Sequence, residues 1–254
     1  VLALAAAVKA DPYARKPLAG PQTVAVLFDK SSTRTRVSFS VGISDLGGNP
    51  LVLDTGTPQV GRGETVADTA RVLGRMTSAT VWRTHAQANL VEMAEHAGVP
   101  VVNALTDEFH PCQILADWLT VIEHKGSLAG LTVTYLGDGA NNMGHSYLLG
   151  GATAGMHIRI GAPAGYQPDP TIVADAEAIA ATTGGTIIVT DDPVAAVAGA
   201  DVVITDTWVP MGQESEKDAR LALFGAFSVT TAAMATAAPD AIVLHCLPAY
   251  RGLE

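Results

Sequence analysis

The sequence predicts an α/β protein with two doubly wound parallel-sheet domains joined by a long helix. Short β-branched runs alternate with longer Ala-rich stretches along the whole chain, a pattern typical of βα units. The runs are too numerous for one ordinary sheet. Residues 111–124 begin with Pro and are followed by Lys125-Gly126, which are helix start and stop signals. This helix therefore connects two predicted domains, residues 1–125 (which include the helix) and 126–254.

The predicted elements follow from these runs, with helices placed where apolar residues recur at helical spacing. The strands are 23–28, 50–53, 79–82, 99–103, 131–136, 156–161, 186–190, 201–205 and 241–245. The helices are 34–46, 65–75, 87–97, 111–124, 142–154, 170–183, 193–199 and 231–237, and residues 1–8 resemble the tail of an amphipathic helix.

Composition excludes several classes of protein. The 254 residues are 48% hydrophobic, enough for a sizeable core. A net charge of −10 argues against nucleic acid as a partner. Two cysteines form no disulfide framework and fit a reducing cytoplasm. No apolar run approaches the roughly 20 residues that span a membrane.

Polar clusters follow the predicted strands, where ligands bind in open α/β sheets. We therefore expect one ligand cleft with a wall from each domain. The clusters are Ser31–Arg36, residues 54–64, Arg83–His85, residues 107–113, residues 137–142, residues 206–214 and His245–Pro248.

The first cluster, Ser31–Arg36, lies between a buried strand and a helix. Backbone N–H groups and the helix dipole favour an anion there. Its hydroxyls add donors and its arginines match phosphate oxygens. The interpretation is a phosphate-binding turn. The alternative is an ordinary N-cap followed by surface arginines.

Three further side chains suit the same wall. Arg83 directly follows a strand, although a surface arginine is the commoner outcome. His110 precedes a Pro-initiated helix, where the dipole disfavours protonation; it could donate to a carbonyl oxygen or only cap the helix. Gln113 could orient an amide or a carbonyl group.

The second wall carries groups that suit a zwitterion. Asp206 could face an ammonium group, and Asn142 with the helix start could face a carboxylate. Gly137-Asp138-Gly139 resembles a dinucleotide loop but lacks the third glycine, which argues against NAD. Cys246 is either a structural thiol or a nucleophile, but a nucleophile needs a helper base and the neighbouring His245 points to the opposite face. The sequence has no Cys-x-x-Cys, His-x-x-x-His or Asp/Glu triad at the spacing of metal ligands.

Together the clusters resemble the aspartate/ornithine carbamoyltransferase family, closest to its ornithine-using branch. The resemblance rests on Ser-Thr-Arg-Thr-Arg at 32–36, His-Pro-Cys-Gln at 110–113 and His-Cys-Leu-Pro at 245–248. The loop from Asp206 to Gln213 resembles that branch's Asp-x-x-x-Ser-Met-Gly. The match covers essentially the whole chain.

The resemblance implies transfer of the carbamoyl group of carbamoyl phosphate to the δ-amine of L-ornithine, giving L-citrulline and phosphate. It also implies a homotrimer, an anabolic role in arginine biosynthesis and no cofactor or metal. The implied catalytic residues are Arg34, His110, Asp206 and Cys246. The implied carbamoyl-phosphate ligands are Ser32, Thr33, Arg34, Thr35, Gln59, Arg83, His110, Gln113, Cys246 and Leu247. The implied ornithine ligands are Asn142, Asp206, Pro210 and Met211.

Two departures from the family keep alternatives open. Pro210 replaces the usual Ser, removing a hydroxyl and an N–H group. The chain also stops before a later phosphate-contacting Arg and a terminal helix, so we expect that helix to be absent. The alternatives are another amine acceptor (putrescine, an acylated ornithine or aspartate), a non-catalytic anion-binding homologue and a nicotinamide oxidoreductase.

Overall fold

The structure, a computed structural model, describes residues 1–54, 63–209 and 217–254. Within these ranges the chain forms two compact units, Val1–Cys112 and Gln113–Glu254. The predicted domain boundary after residue 125, which assigns the connecting helix to the first domain, stays a prediction.

The first unit contains a four-stranded sheet in which all neighbouring strands are parallel. Its strands are β1 (Thr23–Phe28), β2 (Asn49–Asp54), β3 (Ala79–Arg83) and β4 (Val101–Leu105), in the spatial order β2-β1-β3-β4. Its helices are α1 (Leu2–Ala10), α2 (Thr33–Asp45), α3 (Val66–Gly74) and α4 (Gln87–Ala97).

Strand β1 explains why helices cover both faces of this sheet. Its side chains alternate between faces, and five consecutive residues from Val24 are buried. Ala25 and Leu27 pack in one core cluster with Leu73 of α3 and Met93 of α4. Residues 24, 26 and 28 pack in another with Ile43 of α2. The sheet is therefore doubly wound.

The second unit contains a five-stranded sheet, also parallel at every pairing. Its strands are β5 (Thr132–Leu136), β6 (His157–Gly161), β7 (Thr186–Thr190), β8 (Val202–Asp206) and β9 (Ile242–Cys246), in the order β7-β6-β5-β8-β9. The later helices are α5 (Pro111–Lys125), α6 (Asn142–Thr153), α7 (Pro170–Thr183), α8 (Pro193–Val197), α9 (Lys217–Phe224) and α10 (Thr231–Met234).

Glycines on α6 allow close packing in the second unit. A Cβ atom at Gly150 would lie 2.6 Å from Ile114 Cγ2 on α5, and one at Gly151 would lie 2.2 Å from Ile158 Cδ1 on β6. Real Cβ atoms essentially never approach other atoms so closely. Helix α6 is therefore held tightly between α5 and the sheet.

Each sheet has a point where the strand order reverses. In the first it lies between β1 and β3, and in the second between β5 and β8. The loops beyond the carboxyl ends of such strand pairs diverge and leave a crevice for ligands. The topology thus selects the loops after these four strands as candidate sites.

The α/β fold class predicted from the sequence is confirmed, although several elements differ in their bounds. Helix α8 ends at Val197 and α10 at Met234, two and three residues before their predicted ends. Strand β4 begins at Val101, two residues after its predicted start. Gly98 ends α4 in a left-handed conformation, and the pairing with β3 begins where the Thr80 N–H donates to the Pro100 carbonyl. Helix α9, Lys217–Phe224, was not predicted.

Candidate active site

The turn after β1 forms a capped helix start, as predicted. Ser32 has an extended backbone and is the N-cap of α2. Its Oγ accepts from the Thr35 backbone N–H at 3.3 Å and donates to Thr35 Oγ1 at 2.9 Å. The first turn, which holds Thr33 and Arg34, has N–H groups with no intrahelical acceptor. This geometry suits an anion.

Arg83 meets this turn from the other side of the switch point. It is the last residue of β3 and pairs in register with Phe28 of β1. Its Nη1 donates to Thr35 Oγ1 at 3.3 Å. The contact places a guanidinium group next to a capped helix start. Donors from both can bind the oxygens of a phosphate, and the guanidinium group can offset its negative charge.

His110 precedes α5 and is partly buried in the first unit. Burial, with the nearby positive charge of Arg83, lowers the pKa of His110 to about 4. The imidazole is therefore neutral at physiological pH. A neutral imidazole can donate one hydrogen bond without adding positive charge to the site.

Arg36 lies in the same cluster but has a different role. Its guanidinium forms an ion pair with Asp54 at the end of β2 and stacks over the Phe28 ring, 4.7 Å from the centroid. Arg36 thus ties α2 to the sheet. Gln59, another predicted phosphate ligand, lies outside the described residues.

In the second unit, Asp206 and Cys246 lie side by side. They are the last residues of β8 and β9 and are partners in the parallel register. Leu247 follows in an exposed position, joined to Pro248 by a cis peptide bond. Two of the predicted catalytic residues are therefore adjacent. Pro210 and Met211 lie outside the described residues.

Asp206 lies in an environment that disfavours its negative charge. Burial raises the pKa of Asp206 to about 7; the Thr207 N–H, which donates to its Oδ1 at 2.7 Å, opposes this, while the charges of Glu254 and Asp138 add to it. A bound ammonium group would relieve this cost and favour the carboxylate.

Asn141, which the sequence analysis did not select, links Asp206 to α6. Its Oδ1 caps α6 by accepting from the N–H groups of Met143 and Gly144, both at 2.9 Å. Its Nδ2 donates to Tyr135 Oη at 3.0 Å and to Asp206 Oδ2 at 3.5 Å. Asn142 is the first residue of α6, as predicted. The N-cap position was the local signal for Asn141.

A buried ion pair lies behind the same edge of the sheet. Asp138 Oδ2 is 2.8 Å from Arg220 Nη1, and both side chains are less than a tenth exposed. Arg220 also donates to the Trp208 carbonyl at 3.2 Å and lies over the Tyr166 ring. The pair joins α9 to the turn after β5. Asp138 lies in a glycine turn, and nothing near it in the sequence indicates that Arg220 is its partner.

Gln113 lies in the first turn of α5, and its amide Nε2 donates to Asp117 Oδ1 at 2.9 Å.

Within the described ranges, no group of three or more His, Cys, Asp and Glu side chains is arranged to hold a metal ion. None of the helices described is long and apolar enough to cross a membrane.

The raised pKa of Asp206 predicts a stabilising substitution. A carboxyl group with a raised native pKa supports the fold fully below about pH 4 and loses that support as the pH rises through about 7. Asp206→Asn should therefore stabilise the second unit by roughly 2 kcal/mol at pH 8, discounted for partial exposure. The gain should shrink as the pH falls from 7 toward 4.

Thermal unfolding of both forms across this pH range checks it. Asp175→Asn, at an exposed position on α7, is the control and should show little difference at any pH. A stability gap for Asp206→Asn that is constant with pH, or a loss at pH 8, would contradict the prediction.

Comparison with known proteins identifies the class to which this fold and site belong. Residues 1–123 match the carbamoyl-phosphate-binding domain of aspartate/ornithine carbamoyltransferases, and residues 129–254 match their aspartate/ornithine-binding domain. The chain belongs to the aspartate/ornithine carbamoyltransferase family, and the prediction from the sequence motifs is confirmed.

The relatives within this family are similar over the whole chain. A protein of Clavibacter sepedonicus named ornithine carbamoyltransferase is 66% identical over 254 residues, covering 100% of this chain and 83% of the relative. One of Mycolicibacterium paratuberculosis with the same name is 56% identical, covering 100% and 82%.

Solved structures agree with this relationship. The ornithine carbamoyltransferase of Pyrococcus furiosus has a TM-score of 0.93 at 42% identity, covering 99% of this chain and 80% of that one. The anabolic enzyme of Campylobacter jejuni has a TM-score of 0.91 at 40% identity, covering 99% and 82%.

Proposed function

We propose that the chain transfers the carbamoyl group of carbamoyl phosphate to the δ-amine of L-ornithine, giving L-citrulline and phosphate. The Arg83–Thr35 hydrogen bond carries the proposal, because it joins the ends of β1 and β3 into one anion site. The names of relatives at 56–66% identity support the choice of acceptor.

The first unit holds the phosphate in this proposal. The start of α2 provides Ser32, Thr33, Arg34 and Thr35, and Arg83 adds charge. Gln59 joins them. The arginines also stabilise the departing phosphate, since charge-assisted bonds strengthen as negative charge develops.

The carbonyl carbon is attacked by the amine, and negative charge grows on the carbonyl oxygen. Arg34, Thr35 and His110 donate to that oxygen; a neutral His110 does so as a hydrogen-bond donor. Fixed donors of this kind commonly contribute several kcal/mol to transition-state stabilisation. Gln113, Cys246 and Leu247 lie against the carbamoyl group.

The second unit holds ornithine. Its carboxylate lies toward the start of α6 and Asn142, and Pro210 and Met211 are further proposed ligands. Its reacting amine faces Asp206 and Cys246. The amine must lose a proton before attack, and the Asp206 carboxylate beside it is placed to accept one.

The family resemblance supports further proposals about the setting of the reaction. The enzyme acts as a homotrimer in the cytoplasm, in the anabolic direction of arginine biosynthesis. The low cysteine content supports a reducing compartment. Light scattering of the purified protein tests the trimer.

An acceptor profile tests the proposed function. Citrulline formation with L-ornithine should have a kcat/KM at least about 100-fold above that for putrescine or N-acetylornithine, because either analogue leaves polar groups of the site unpaired. Aspartate should not react, since Asp206 repels its side chain. Colorimetric assay of each carbamoylated product measures the profile. Faster turnover of putrescine would contradict the choice of acceptor.

A nicotinamide oxidoreductase is the functional alternative from another class. It predicts a change in absorbance at the nicotinamide band when substrate is added, and we expect none. A non-catalytic anion-binding homologue would bind carbamoyl phosphate without forming citrulline, so the same assay separates it.

A further inference from the structure

A buried carboxyl group anchors the amide of Gln113. Asp117 lies one turn further along α5 and is only 7% exposed. Its Oδ1 accepts from Gln113 Nε2 at 2.9 Å, and its Oδ2 accepts from the Tyr147 hydroxyl of α6. Both carboxylate oxygens are therefore hydrogen-bonded, as a buried carboxylate requires.

This arrangement sets which end of the Gln113 amide faces Asp117. An ionised carboxylate only accepts hydrogen bonds, whereas the two ends of an amide differ: NH2 donates and the carbonyl oxygen accepts. In the structure the NH2 end faces Asp117, with Nε2 2.9 Å from Oδ1. The Oε1 atom then faces the other way and is presented as an acceptor.

Tyr147, which donates to Asp117, is itself buried among aromatic rings. Tyr147 is 1% exposed, and its ring centroid lies 5.7 Å from that of Trp118 and 5.6 Å from that of Tyr135. Gly150, one turn further along α6, allows the close approach to Ile114 described above. Helices α5 and α6 therefore pack closely next to Asp117.

We propose that Asp117 and Tyr147 are positioning residues that aim Gln113 Oε1 at an N–H donor of the substrate, and so select a carbamoyl group over an acetyl group. The inference rests on the proposed function. The two groups are nearly isosteric, but carbamoyl has an NH2 that can donate to Oε1 where acetyl has a methyl group.

Loss of the anchor should remove this selection. In Asp117→Asn, the new NH2 can donate to Gln113 Oε1, which permits the Gln113 amide to turn over. Gln113 then presents NH2 to the NH2 of the substrate, and two donors face each other. In Tyr147→Phe the carboxylate keeps Gln113 but loses its other donor, so the effect should be smaller.

Two stable phosphonates of matched shape test the proposal. Phosphonoacetamide carries the NH2 group, and acetonylphosphonate carries a methyl group in its place. We expect the wild type to bind phosphonoacetamide at least about tenfold more tightly, the value of one hydrogen bond of roughly 1.4 kcal/mol. In Asp117→Asn this ratio should fall to about one, with the Kd of acetonylphosphonate changed less than about twofold. Titration calorimetry gives both constants.

Controls separate positioning from a structural role. Tyr147→Phe should lower the ratio about threefold. In a Gln113→Ala background, Asp117→Asn should leave the ratio unchanged, because the proposed effect acts through Gln113. If Asp117→Asn does not fold, Tyr147→Phe with and without Gln113→Ala provides the same comparison.

The outcomes also distinguish this inference from the proposed function. Equal weakening of both phosphonates, or an unchanged ratio in a folded Asp117→Asn protein, would overturn the positioning role even if the wild type forms citrulline. A wild type that forms no citrulline overturns the proposed function, whatever the ratio.

Discussion

Arg34→Ala should lower kcat/KM for carbamoyl phosphate about 1000-fold. In the proposed site, Arg34 contacts both the phosphate and the developing negative charge on the carbonyl oxygen. Removing one fixed donor to such an oxygen commonly lowers the rate by about 100- to 1000-fold, and the lost phosphate contact adds to this. Steady-state citrulline formation at saturating ornithine measures the change.

Arg36→Ala is the matched control, two residues along the same helix. Its guanidinium pairs with Asp54 and stacks on Phe28, and exposed ion pairs contribute about 0–1 kcal/mol to stability. Turnover should stay within about fivefold of the wild type. Unchanged activity in Arg34→Ala, or equal losses in both variants, would mean that the anion site lies elsewhere.

Arg220→Met should destabilise the second unit by about 3–5 kcal/mol. The substitution leaves the buried Asp138 carboxylate without the guanidinium 2.8 Å away, and an uncompensated buried charge is expensive. It also removes the donor to the Trp208 carbonyl. Urea unfolding, followed by tryptophan fluorescence and circular dichroism, measures the loss.

A double-mutant cycle tests whether the loss arises from the ion pair. Asp138→Asn combined with Arg220→Met should be more stable than the sum of the single losses predicts, because no charge remains buried. Arg71→Met breaks an exposed pair with Asp68 and should cost less than about 1 kcal/mol. Additive losses at 138 and 220 would show that the two residues act independently.

Local signals explain which parts of the fold were predictable. Each β-branched run became a strand. In the inner strands β1, β5 and β8 nearly every residue is buried, as their apolar sequences indicate. Helix α9 was missed because its packing is tertiary: Phe224 stacks on Trp208, 5.9 Å between centroids, and packs edge-on against Tyr166. No residue next to Phe224 in sequence indicates those partners.

Some residues of the candidate site were likewise predictable from local signals, and others were not. Ser32, Thr35 and Asn142 were found because helix starts are marked by the residues at the start itself. Asp117 and Tyr147 were not selected, because a polar residue within an amphipathic helix usually lies on its solvent-facing side. Only the approach of α5 to α6, allowed by Gly150, makes Asp117 a buried group with a partner.

The two switch points also link ligand binding to folding. Thr35 and Arg83 are far apart in the chain, as are Asn141 and Asp206, so neither site exists until its sheet has assembled. A ligand of either site binds only the folded unit and shifts the folding equilibrium by mass action, by about 2.7 kcal/mol at 100 times its Kd. In the proposed function, each substrate is therefore a folding ligand for its own unit, and a cell rich in both holds more of the chain in the native state.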